Sequence, residues 1–174
     1  MDSDSAARLS PRTRAAQALG AIDPETHGVV PPVHVASTYL RDPDNQYRTG
    51  YAYGRADNVT VRQAEAVLAM LEGAEAAMLF GSGMAAATAV VLALPPGAHI
   101  VVPRVMYWAL RHWLMTDAVR LGYRVDLVDM TDLAAVARAV RPGETRLVWV
   151  ETPSNPLWEV ADIEALAGIA HKAG

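Results

Sequence analysis

No cysteine occurs in the 174 residues, which excludes disulfides and thiolate metal sites. Lysine is nearly as scarce: Lys172 stands alone against fourteen arginines. There is no basic surplus either. The formal net charge is −4, so nothing electrostatic favours nucleic acid or an anionic membrane as partner. The N-terminal stretch "MDSDSAARLSPRTRAAQ" lacks the apolar centre of a signal peptide, and no apolar run reaches bilayer length. A soluble cytoplasmic protein is therefore expected. Repeats and low-complexity segments are absent. His27, His34, His99, His112 and His171 show no metal-ligand spacing, and no Ser–His–Asp arrangement stands out, so the histidines are expected as structural or surface residues. What remains is a globular composition, 52% hydrophobic and 20% charged, with length enough for one ordinary domain and its core.

Residues 1–57 read as irregular. After a short helical piece near "TRAAQAL" comes "VVPPVHVASTYLRDPDNQYRTGYAYGRAD", rich in the residues that favour turns and extended chain. Such a stretch is too long for an idle loop. From residue 58 the pattern becomes regular. "NVTVRQAEAVLAMLEG" places Ala64, Val67, Leu68 and Leu71 on one helical face, with Thr60 and Gln63 as a capping box and Gly73 as the stop. Strand "AAMLF", helix "MAAATAVVLAL", strand "HIVVP" and a helix over about 107–121 follow. Strand "YRVDLVD" leads to a helix with Leu133, Val136, Ala137 and Val140 in register. Strand "RLVWVE" leads to a helix presenting Ile163, Leu166, Ala167 and Ala170. Short apolar strands alternating with helices imply an α/β fold whose parallel sheet is buried on both faces. In such sheets ligands sit outside the carboxyl ends of the strands. The working loops are then Gly81–Met84, Arg104–Tyr107, the turn after Asp129, and Glu151–Asn155.

The turn "GSGM", with Ser82, Gly83 and Met84, puts unpaired backbone N–H groups at a helix N-terminus, where the helix dipole adds to an anion site. Glycine suits it where an anion approaches the backbone or where φ is positive. A tight strand-to-helix turn without any ligand reads the same residues equally well. "GSGMAA" also matches the dinucleotide fingerprint, but that fingerprint wants an acid at the end of the next strand, which here ends "VVPRV". Tyr53 and Arg55 of "YAYGRADN" stand two apart and point to one side of an extended chain, as a clamp for a phosphate or as a surface turn. Tyr107 follows strand 98–103, placed to stack on a flat ring or to cap the core. Asn155 of "ETPSNP" bonds a ligand or its own backbone.

In this order "YAYGRADN", "GSGMAA" and "ETPSNP" resemble one family, the Cys/Met-metabolism enzymes that use pyridoxal 5′-phosphate (PLP), among them cystathionine γ-synthase and the cystathionine lyases. The resemblance runs from about "VVPPVHVASTY" to the last residue. It implies the large domain of the type I, aspartate-aminotransferase-like fold, with a mostly parallel sheet that is incomplete here. It implies a homodimer or homotetramer acting on a sulfur amino acid or an activated homoserine, by elimination or replacement at the β or γ position. Carried over by position, Ser82, Gly83 and Met84 hold the PLP phosphate. Tyr53 and Arg55 hold the phosphate in a neighbouring subunit's site. Tyr107 stacks on the ring and assists proton movement, and Asn155 lies near the ring's phenolic oxygen. Residues 1–57 then form a segment reaching across the dimer, and 58–174 the first part of the PLP-binding domain.

The chain departs from the family pattern in three places. Asn58-Val59-Thr60 replaces the usual Asn-Pro-Thr, a small change at a helix start. Ala52 stands where several cystathionine enzymes carry an acid, while "YGR" is similar to bacterial cystathionine β-lyases. PLP chemistry also needs a Schiff-base lysine and an acid for the ring nitrogen, both of which the family supplies further along the chain. The sequence thus reads as the N-terminal part of such an enzyme, expected to be inactive alone. A non-catalytic half of a split assembly and a dinucleotide-binding module are the other readings. Three structural expectations follow from the resemblance. Tyr53 and Arg55 should not reach the Gly83–Met84 turn of their own chain. Gly83, Met84, Tyr107 and Asn155 should gather at one sheet edge. Strand 98–103 should pair with both 123–128 and 147–151, leaving 75–80 without a ladder.

Overall fold

The computed structural model describes residues 10–174; residues 1–9, part of the expected N-terminal segment, lie outside that range. The chain divides into two compact units, Met1–Leu79 and Phe80–Gly174.

In the first unit, α1 (Pro11–Gln17) opens on Ser10, whose hydroxyl accepts from the Thr13 N–H at 3.2 Å. Pro11 follows it at a position where a missing N–H is harmless. A 3₁₀ turn, Ala18–Gly20, leads into the irregular stretch. Short side chains hold that stretch locally: Asp23 Oδ1 accepts from Glu25 N–H at 2.8 Å, and Asp42 Oδ2 from Arg48 N–H at 2.9 Å. A single antiparallel bridge joins Thr38 to Tyr53. Helix α2 (Val59–Glu72) ends on Gly73 in the left-handed conformation, φ 64°, as its sequence predicts. Its start differs from expectation. Asn58 is the cap, accepting from Thr60 N–H at 2.8 Å, whereas the Thr60 hydroxyl accepts from His34 N–H at 2.9 Å. The Asn58 amide also donates to His34 O, at 3.1 Å. The box is displaced because the proline-rich segment competes for the threonine. No residue of α2 is buried, including the apolar stripe expected to face a core.

The second unit holds a parallel sheet of three strands in the order β2–β1–β3, with β1 at His99–Pro103, β2 at Arg124–Val128 and β3 at Thr145–Val148. The expected pairings of the first of these strands with the other two are both present. β3 ends sooner than the sequence predicts, although Trp149 N–H still donates to Val101 O at 2.9 Å. Every residue of β1 is buried, and its side chains alternate between two cores. Ile100 and Val102 pack with residues of α3 (Gly83–Leu92) and α4 (Trp108–Trp113) on one face. Val101 packs with residues of α5 (Leu133–Ala139) and α6 (Ile163–Lys172) on the other. The helix expected over 107–121 contains a π turn at Leu114–Ala118. The expected stripes of α5 and α6 are buried only in part. Val136, Val140 and Leu166 are buried, but Ile163 is 61% exposed, because the three strands are too narrow to cover the first turn of either helix.

Residues 75–80 form no strand and no ladder among the described residues. The expected strand is corrected to irregular chain, with no strand to pair with among the described residues, and Met78, Leu79 and Phe80 are exposed. No helix among the described residues is long and apolar enough to cross a membrane, and none of their His, Asp and Glu side chains gather in threes to hold a metal ion.

Candidate functional site

The carboxyl ends of β1 and β3 and the N-terminus of α3 enclose an open concavity of about 420 Å³ in the second unit. Ser82, Gly83 and Met84 form one wall, Tyr107 and Leu110 another, with Trp149 and Glu151 between them. Ser82 caps α3, its hydroxyl accepting from Ala85 N–H at 3.1 Å, which leaves its own proton free to donate outward. The N–H groups of Gly83 and Met84 have no partner among the described residues. A Cβ built on Gly81 or Gly83 meets nothing within 4 Å, and neither residue has a positive φ. Neither a positive φ nor crowding by the described residues therefore calls for glycine at this turn.

Tyr107 is the N-cap residue of α4 and, 43% exposed, lines the concavity. Its backbone N–H donates to both carboxylate oxygens of Glu151, each at 3.0 Å. Asn155 N–H donates to Glu151 Oε1 at 3.3 Å. The Asn155 side chain makes no hydrogen bond among the described residues and does not line the concavity, so it is held beside the site through its backbone. Glu151 was not legible as a site residue. The one signal was an acid directly after the apolar run "LVWV" at the working edge.

A smaller cavity of about 80 Å³ adjoins Glu151 and is lined by Arg104, Asp129, Thr131, Ser154 and Glu159 among others. The Thr131 hydroxyl and N–H donate to Asp129 Oδ1 at 2.7 and 2.9 Å. These bonds, with Arg104 nearby, hold the Asp129 carboxyl below its ordinary range.

Tyr53 and Arg55 lie in the first unit. The Arg55 guanidinium sits over the Tyr53 ring, 5.2 Å from its centroid, so the pair acts as one cationic, phenolic surface. Gly54 between them donates its N–H to Ser37 O at 2.8 Å. A Cβ there would stand 2.5 Å from Ala36 O, so this loop closes only around glycine.

At the opposite edge of the sheet, buried His99 contacts Thr145 Oγ1 at 2.8 Å through Nδ1 and faces Asp126 Oδ2 at 3.1 Å, a structural role. Lys172 belongs to that edge too. It is exposed in the last turn of α6, and Ala173 O accepts from Gly143 N–H at 3.4 Å, just before β3 begins.

Comparison with known proteins adds to this geometry. The family model for Cys/Met metabolism PLP-dependent enzymes matches residues 12–174. A probable cystathionine gamma-synthase of Herpetosiphon aurantiacus is 37% identical over 154 residues, covering 87% of this chain and 48% of that protein. A cystathionine gamma-lyase of Bacillus subtilis is 38% identical, over 87% of this chain and 40% of that protein. Among solved structures, metB from Corynebacterium glutamicum matches with a TM-score of 0.88 and 31% identity, over 96% of this chain and 43% of that one. The chain thus spans less than half the length of the relatives it matches.

Proposed function

The chain belongs to the Cys/Met metabolism PLP-dependent enzyme family, and from that premise we propose that the full-length protein eliminates or replaces a β- or γ-substituent on a sulfur amino acid or an activated homoserine. The observation that carries the reading is the pair of unpartnered N–H groups at Gly83 and Met84, opening on a concavity that Tyr107 lines. Such a cradle fits a phosphate. PLP, when bound, draws electrons from the amino acid's α-carbon and so allows a proton to leave it.

The chain's own residues divide the remaining work. Gly83 and Met84 bind the phosphate through their N–H groups, with the Ser82 hydroxyl donating beside them. Tyr107, which lines the concavity, would cover the cofactor ring, exclude water from it and hold a proton at its own phenolic oxygen. Asn155, held beside the site through its backbone, would offer its side-chain amide to the ring's phenolic oxygen. Tyr53 and Arg55 of one copy clamp the phosphate in the site of a second copy, making the active form a homodimer or homotetramer. The irregular segment of the first unit, organised around Gly54 and the Thr38–Tyr53 bridge, serves to present that pair. The 174 residues alone are inactive on this reading, since their single lysine stands at the sheet edge opposite the concavity.

The test is purification of the full-length protein with PLP. Turnover is then assayed with cystathionine, and separately with an O-acylated homoserine plus cysteine. A visible cofactor band with turnover of either substrate class supports the proposal. A protein that takes up no PLP and turns over neither refutes it.

A further inference from the structure

Glu151 links two loops that the proposed function uses separately. It follows β3, is half-buried, and contributes to both the larger and the smaller cavity. Its carboxylate accepts two contacts from Tyr107 N–H, which follows β1, and one from Asn155 N–H in its own loop. An ionised carboxylate only accepts, and bonds to it are shorter and stronger than neutral ones. The Tyr107 carbonyl accepts from Arg111 N–H at 3.1 Å within α4, and among the described residues only the Glu151 carboxylate ties Tyr107 to the loop after β3. As the N-cap of α4 Tyr107 makes no side-chain cap bond, and it is exposed. Its stance beside the concavity therefore depends on where its backbone is held.

We infer that Glu151 is a positioning residue, whose carboxylate sets the Tyr107 ring and the Asn155 loop relative to each other across the cofactor site. The inference rests on the proposed PLP reading for its catalytic consequence, though not for the tether itself. The Glu151 carboxylate oxygens are engaged by backbone N–H groups of the two loops. Glu151 acts through two backbone N–H groups, so its loss removes no proposed contact residue but misaligns Tyr107 and Asn155.

The experiment uses full-length protein carrying Glu151→Gln, which keeps one acceptor oxygen and loses the charge, and Glu151→Ala, which loses both. Amide hydrogen exchange is followed without cofactor. Exchange at Tyr107 should rise at least about tenfold in Glu151→Ala and less in Glu151→Gln, with β1 still protected. With PLP loaded, kcat should fall at least about tenfold in Glu151→Ala and by a smaller factor in Glu151→Gln. KM should stay within about threefold, and the visible circular dichroism of the bound cofactor should change in parallel. Unchanged exchange at Tyr107 overturns the inference, whatever the cofactor does. Faster exchange with unchanged kcat and dichroism also overturns it, since Glu151 is then a cap and no more. If Glu151→Ala does not fold, Glu151→Gln decides by the same measures against wild type. A wild-type protein that binds no PLP refutes the proposed function, and the exchange arm then judges the tether alone.

Discussion

At position 54 a methyl group has nowhere to go, because Ala36 O stands 2.5 Å from where it would be. Gly54→Ala should therefore lower stability by about 1–3 kcal/mol, read from the urea midpoint of the full-length protein. Gly83 is the opposite case. Its methyl would enter open space, so Gly83→Ala should leave stability of the cofactor-free protein within about 0.5 kcal/mol while weakening PLP binding at least about tenfold. Wild-type PLP affinity in Gly83→Ala would remove the phosphate role from this turn. The sequence allowed the second glycine to be read, because a Gly-Ser-Gly turn before a helix advertises its bare N–H groups. It did not allow the first, since the need for glycine at 54 arises from a carbonyl far off in the chain. Asp129 gives a prediction in pH. Hydrogen bonds from Thr131 depress its folded pKa, so its contribution to stability is present above the unfolded value near 4 and disappears as pH falls through the folded one. Thr131→Val should be less stable than wild type at pH 7, and the gap in denaturant midpoint should narrow as the pH falls below the ordinary aspartate value and close below the depressed folded one. A gap that is the same at both ends of the range would assign the loss to packing.

Among the elements, caps are where periodicity and structure part. The expected stop at Gly73 is found, since a left-handed residue after a helix is a local matter. The expected start at Thr60 is not, since the Thr60 hydroxyl is taken by His34 from outside the helix. Asn58→Ala should cost about 1 kcal/mol in helix stability, with a further loss from the bond to His34 O, and Thr60→Ser should cost much less. Equal effects of the two in thermal melts would count against Asn58 as the cap. The faces of α5 and α6 show the other limit. A 3.6-residue period reveals that a helix has an apolar stripe, but burial belongs to whatever lies opposite. Leu133 and Ile163 are on the predicted stripes and remain exposed beside a sheet of three strands. Residues 75–80 fail to become a strand for the same reason.

At the scale of the molecule, the alternation of apolar strands with helices was enough to read a parallel α/β sheet, and the family resemblance ordered its strands. The Glu151 tether was not readable, because it joins loops separated by two strands and two helices. The exposed apolar residues carry a prediction here. Leu157, Trp158, Val160 and Ile163 form a run of large solvent-facing side chains, and β2 and β3 each have one edge without a ladder partner among the described residues. The 174-residue chain produced by itself should self-associate in light scattering and bind apolar dyes more strongly than the full-length protein does. A monodisperse monomer with no dye binding would show that these surfaces need no cover.

Trp149, half-buried against the β1 core and forming part of the concavity wall, has an optical consequence. Indole emission overlaps the near-ultraviolet absorption of a pyridoxyl ring, so a cofactor seated beside Trp149 must drain its excited state. Trp108 and Trp158 are solvent-facing, at 72% and 78% exposure, and iodide in the buffer extinguishes them first. Of the four indoles in these 174 residues, Trp113 and Trp149 are then left to emit, and of these two only Trp149 lines the concavity. Titrating the cofactor into iodide-quenched protein should therefore dim the Trp149 emission, and the dimming should be lost in Trp149→Phe.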